Sequence, residues 1–94
     1  VHDQSDAMNV PAAQRRVSLV VPDLGLGDAA VTVSLWLVPK GRVVQAGERV
    51  VELVSGAATI DLGAPVTGRL VVQLVDEDDP VAVGVALAEF EVVE

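Results

Sequence analysis

The chain breaks into short apolar runs separated by Gly, Pro and acidic residues. Val17–Val21 comes first and ends at Pro22-Asp23. A loop carrying Gly25 and Gly27 follows, then Val31–Val38, whose first part alternates apolar with polar. Alternation of that kind marks a strand with one buried face. Pro39-Lys40-Gly41 turns the chain, Val43-Val44 is a very short strand, and Gln45-Ala46-Gly47-Glu48 turns it again. Arg49–Val54, Thr59–Leu62, Arg69–Val75, Val81–Val83 and Ala86–Val92 complete the series. The breaks between them are Ser55-Gly56-Ala57-Ala58, Ala64-Pro65-Val66-Thr67-Gly68, Asp76-Glu77-Asp78-Asp79-Pro80 and Gly84. β-branched residues dominate the runs, and no segment holds a helical period over ten residues. Many short strands with regularly spaced turns predict an all-β sandwich or barrel. Residues 1–16 are mostly polar and broken by Pro11, so they read as a flexible N-terminal arm, with 17–94 as a single domain.

The runs repeat. Shifted by 37 residues, Gly47 falls on Gly84, Glu52 on Glu89, Leu53 on Phe90 and Val44 on Val81. Leu37-Val38 falls on Leu74-Val75 at the same offset. Each half has an apolar strand, a polar turn, a short apolar pair, a Gly turn and a strand ending in Glu and a large apolar residue. Two such halves can cover each other's apolar faces around an approximate two-fold axis. Leu35, Leu37, Val50, Leu53, Leu74, Leu87 and Phe90 are the expected core.

Composition narrows the function. Hydrophobic residues make up 51% of the 94, which supports a folded core, but aromatics are only 2%. Six Lys and Arg against 14 Asp and Glu give a net charge of −8. Few stacking platforms and a repulsive field argue against a nucleic-acid partner. There is no Cys, and the lone His2 lies near a polar terminus. Thiol chemistry, Cys-ligated zinc and a Ser-His-Asp triad are thereby excluded. No apolar stretch is long enough for a membrane span and no signal-peptide layout opens the chain, so the expected location is cytoplasmic.

Several stretches resemble the lipoyl domains of 2-oxoacid dehydrogenase acyltransferases, within the wider lipoyl/biotinyl carrier family. Val21-Pro22-Asp23-Leu24-Gly25 resembles their opening strand and loop. Val33 through Gly41, with Val43 and Gly47, resembles their second strand and its Trp-Leu…Gly-Asp-x-Val…Gly stretch, with Arg42 in place of the usual Asp. Asp61-Leu62-Gly63-Ala64-Pro65-Val66-Thr67-Gly68 is similar to their Glu-Ile-x-Ser-Pro-x-x-Gly corner. Asp76–Val81 resembles their acidic loop, and Gly84 with Leu87 their last turn and strand. The resemblance covers Val17 to about Phe90. It implies a flattened β-barrel of two four-stranded antiparallel sheets with pseudo-two-fold symmetry, the barrel-sandwich hybrid of lipoyl and biotinyl domains.

In that family a Lys at a hairpin tip forms an amide with lipoate or biotin, and the arm carries a group between active sites. Counting back from Gly68 and Pro65, the resemblance places Ala57 at the lysine position, flanked by Gly56 in place of Asp and by Ala58. A methyl group has no nucleophile, so no cofactor is expected here, and no catalytic residue and no metal site. A single deliberate replacement would have left the Asp, so Gly56 points to natural divergence. Lys40 is the chain's one lysine and reads as a solvated turn charge. The resemblance implies a non-catalytic structural or interaction module, with protein partners of a 2-oxoacid dehydrogenase-type complex. The alternative is a true acyl-carrier domain of such an acyltransferase in a lysine-less form. The sequence leaves the oligomeric state open.

Other candidates carry less. Asp76, Glu77, Asp78 and Asp79 lack the spacing and distal Glu of a Ca²⁺ loop and read as a solvated turn. Asp23 and Asp28 flank Gly25-Leu26-Gly27, which lacks the further Gly and Lys-Ser/Thr of a phosphate cradle. Ser55, Thr59 and Asp61 have no base partner, and Arg15-Arg16 only ends the arm. Trp36 reads as core, its N–H requiring an acceptor.

Overall fold

The computed structural model describes residues 15–93. Eight strands run through them: β1 (Arg16–Val20), β2 (Val31–Trp36), β3 (Val43–Val44), β4 (Arg49–Ser55), β5 (Ala58–Gly63), β6 (Gly68–Gln73), β7 (Pro80–Val81) and β8 (Ala86–Val92). They form two four-stranded antiparallel sheets, ordered β1-β8-β6-β3 and β5-β4-β2-β7. Of the arm expected over 1–16, residues 1–14 lie outside the described residues. At its end the strand starts earlier than the pattern suggested: Arg16 pairs with Glu91, and the Val92 N–H donates to the Arg15 carbonyl.

The repeat organises the whole molecule. The 37-residue shift carries β2 onto β6, β3 onto β7 and β4 onto β8, end for end. The two strand orders match under it, with β1 and β5, which the offset itself does not relate, holding the same edge position. Gly47 and Gly84 occupy matching turns with φ of 86° and 88°. Their N–H groups donate to Ala64 and Val21, the first residues after β5 and β1. Contacts between the halves are reciprocal. The Gly41 N–H donates to the Leu70 carbonyl, and the Asp78 N–H to the Val33 carbonyl. Reciprocity of this kind is the mark of a two-fold, because each half then presents the same surface to the other.

The core between the sheets contains Val33, Val44, Val50, Val51, Leu53, Leu70, Leu87 and Phe90, all essentially inaccessible. Four of the expected core residues are there: Val50, Leu53, Leu87 and Phe90. Leu35, Leu37 and Leu74 are not, at 40%, 37% and 47% exposure. The cause is a register shift in β2 between Val33 and Leu35, matched in β6 between Leu70 and Val72. An extra residue in a strand reverses which side chains face inward beyond it. After the shift Trp36 and Val38 turn toward the core, and Leu35 and Leu37 turn out. A second matched pair of shifts, at Arg49/Val51 and at Leu19/Val20 opposite β8, leaves Val50 and Leu87 buried.

Candidate functional site: the β4–β5 hairpin tip

β4 and β5 pair through Ser55↔Ala58, which leaves only Gly56 and Ala57 in the turn. Gly56 has φ +58°, and Ala57 keeps φ below zero. Positive φ at the first central residue alone is the sign pattern of a II′ turn, which matches the strand twist and favours glycine there. Gly56, Ala57 and Ala58 are all exposed. The expected tight, accessible tip between β4 and β5 is therefore present, with β4 one residue longer than the sequence pattern indicated and β5 one residue longer at each end.

No charge sits at the tip. The nearest carboxylates on the hairpin, Glu52 and Asp61, are paired across the strands, and Arg49 bonds Asp61 at 3.1 Å. The Ser55 hydroxyl donates to the Ala30 carbonyl at 2.8 Å, tying the tip end of the hairpin to the β1–β2 connection. Thr59 is exposed with no base beside it in the strand pairing. The tip offers backbone groups and methyls, and no amine.

Lys40 lies elsewhere. It is exposed in the turn Pro39–Arg42, closed by the Arg42 N–H donating to the Pro39 carbonyl. That turn is fastened to β6, in the sheet opposite the hairpin, by Gly41–Leu70 and by the Arg69 guanidinium donating to the Gly41 carbonyl at 2.7 Å.

The remaining candidates hold local structure. The Asp79 carboxylate accepts the Asp76 N–H at 2.8 Å, and the Glu77 carboxylate accepts the Trp36 N–H at 3.0 Å. These acids close their own turn and fasten it to β2. Among the described residues no three His, Cys, Asp or Glu side chains converge to hold a metal. Asp23 accepts the Gly25 N–H at 2.9 Å, an Asx turn that shapes the loop. Arg16 starts β1 and bonds Glu89 at 3.2 Å. Trp36 is half-buried against the core, and its indole N–H finds the Val75 carbonyl. Among the described residues no helix is long and apolar enough to cross a membrane.

One feature escaped the sequence reading: a cavity of about 310 Å³ between the β1–β2 connection and the turn after β7. Its signal was present in the repeat, where Val83 and Val85 stand opposite Ala46 and Glu48.

The family described as "Biotin-requiring enzyme" (Biotin_lipoyl) matches residues 17–90. The chain belongs to the Biotin_lipoyl family. Over 83 residues this Biotin_lipoyl domain is 34% identical to the dihydrolipoyllysine-residue acetyltransferase component of the pyruvate dehydrogenase complex of Corynebacterium glutamicum. The match takes in 87% of this chain and 12% of that relative. Among solved structures, a single-chain, multi-domain long-chain acyl-CoA carboxylase superposes on 94% of the chain with a TM-score of 0.69 and 26% identity. The domain spans 8% of that protein. The two-sheet architecture is thus the biotinyl/lipoyl-type fold, as the resemblance implied.

Proposed function

We propose that this carrier-type domain works without a covalently attached arm, as a non-catalytic structural or protein-interaction module. The observation that carries the reading is the two-residue tip Gly56-Ala57, where the family's spacing calls for a lysine. Amide formation with lipoate or biotin needs a nucleophilic amine at an accessible tip, and Ala57 has only a methyl. Lys40, the chain's one lysine, sits in a turn fastened to the opposite sheet. The likeness to an acetyltransferase component supports partners drawn from a 2-oxoacid dehydrogenase-type complex, and with them a cytoplasmic location. That same likeness, at 34% identity, favours one second reading: an acyl-carrier domain of such an acyltransferase in lysine-less form.

The test is the intact mass after incubation with a lipoate ligase and lipoyl-AMP. The unaltered domain is expected to gain nothing. Ala57→Lys, with Gly56→Asp, is expected to gain one lipoyl group if the tip geometry still suits the ligase. A lipoyl mass on the unaltered domain overturns the proposal and moves attention to Lys40. A folded Ala57→Lys/Gly56→Asp domain that is never modified rules out the lysine-less carrier reading and leaves the interaction role.

A further inference from the structure

The two-fold fails at one end of the barrel, and two departures coincide there. In the first half the turn Gln45-Ala46-Gly47-Glu48 is polar and clasped. The Ala46 N–H donates to Thr67 Oγ1 at 3.0 Å, and the Gln45 N–H to the Glu48 carboxylate at 3.2 Å. In the second half the same turn reads Ala82-Val83-Gly84-Val85, and the counterpart of Thr67 is Ala30, which has no hydroxyl. The clasp has no equivalent. The adjoining connection is also longer: residues 21–30 join β1 to β2, where residues 64–67 suffice between β5 and β6. The unclasped turn and the long connection line the cavity of about 310 Å³, which opens to solvent.

The lining is more apolar than polar, with Leu24, Leu26, Val31 and Val81 on its walls. Val83 stands at the edge, 63% exposed. Asp23 and Asp28 are the charged residues of the lining, and both are exposed. No Lys or Arg occurs in residues 17–39 or 70–93, which contain the lining stretches 21–31 and 81–83, and the turn entering β7, outside the lining, carries Asp76, Glu77, Asp78 and Asp79. The volume lies at the small end of the range for binding pockets, room for one or two aliphatic side chains. Val83 continues the apolar wall onto the surface where the matched turn is polar, and a covering apolar group would take that area out of water.

We propose that this cavity docks an aliphatic side chain carried on a partner protein segment flanked by Lys or Arg. The inference rests on the interaction-module reading and adds to it the surface and the chemistry of the partner. The apolar lining selects the side chain. The acidic rim and the net charge of −8 select the flanking cations and accelerate encounter. The same charge opposes a second copy of this chain as the occupant.

The experiment is a titration of the isotopically labelled domain, followed by NMR, with a short peptide holding one Leu between pairs of Lys. Saturable shifts confined to residues 21–31 and 81–85 are expected, weakening at high salt. Replacing the peptide's Leu by Ala, or Val83 by Lys, is expected to weaken binding by about tenfold or more. Val83→Lys changes an exposed position, so its circular dichroism spectrum should be unaltered. Three outcomes overturn the proposal: no saturable shift, equal binding of the Leu and Ala peptides with shifts centred on Asp76–Asp79, or concentration-dependent shifts without peptide, which assign the cavity to a second copy. A lipoyl mass on the unaltered domain overturns the arm-free reading and leaves this titration readable by itself.

Discussion

Trp36 and Gln73 make the same hydrogen bond in the two halves of the barrel. The Trp36 indole N–H donates to the Val75 carbonyl at 3.2 Å, and the Gln73 amide reaches the Val38 carbonyl at 3.5 Å. Donor and acceptor are each related by the 37-residue shift. Two side chains with nothing in common but a terminal N–H close the barrel across its axis, the indole also filling space against the core. Trp36→Phe keeps most of the ring and loses the donor. A loss of about 1 kcal/mol is expected in a urea melt followed by circular dichroism. A loss under about 0.3 kcal/mol would mean that water replaces the donor at Val75 without cost.

Gly41 and Asp78 are a second matched pair. Both have positive φ, 97° and 75°, and Asp78 is the sole non-glycine so placed among the described residues. Asp tolerates the left-handed region better than most residues, though still at some strain. Asp78→Gly is expected to be neutral or stabilising by up to about 1 kcal/mol, and Gly41→Val to cost about 1–2 kcal/mol or more. Denaturant midpoints of the two variants decide it. A clear loss for Asp78→Gly would show that the aspartate contributes more than its backbone strain removes.

Leu53 and Phe90 are matched core residues, both fully buried, whereas Leu74 is 47% exposed. Leu53→Ala and Phe90→Ala are each expected to cost on the order of 2–5 kcal/mol, and Leu74→Ala well under 1 kcal/mol. Equal losses at Leu53 and Leu74 in parallel melts would contradict the reversal of facing beyond the β2 and β6 register shifts.

Gly68 permits a close approach. A methyl there would run into the Glu91 carbonyl of β8, which is backbone and cannot swing aside. Gly68→Ala is expected to cost about 1–3 kcal/mol, a typical overpacking loss. Wild-type stability in the same melt would require β6 and β8 to separate, which the amide exchange rates of β8 would report.

Much of the architecture was legible in the residues. Val-rich runs and their Gly, Pro and Asp breaks located the strands. The offset that joins Gly47 to Gly84 anticipated the two-fold, because residues in matching turns face matching backbone demands. The hairpin tip was legible too, since a β-turn is a local structure and Gly56 satisfies it locally. The facing of Leu35, Leu37 and Leu74 was not. A register shift is a relation between two strands, and neither strand's own alternation encodes it. The reciprocal bonds of Trp36 and Gln73 were hidden for a related reason: geometry matches them, and residue type does not. The cavity beside Val83 arises only when a long connection and an unclasped turn, far apart in the chain, are folded against each other. The sequence by itself determined the repeat, the strands and the amine-free tip, through local pattern and side-chain chemistry. Only the tertiary structure decided which leucines are buried and where the two-fold opens, because both depend on contacts between distant segments.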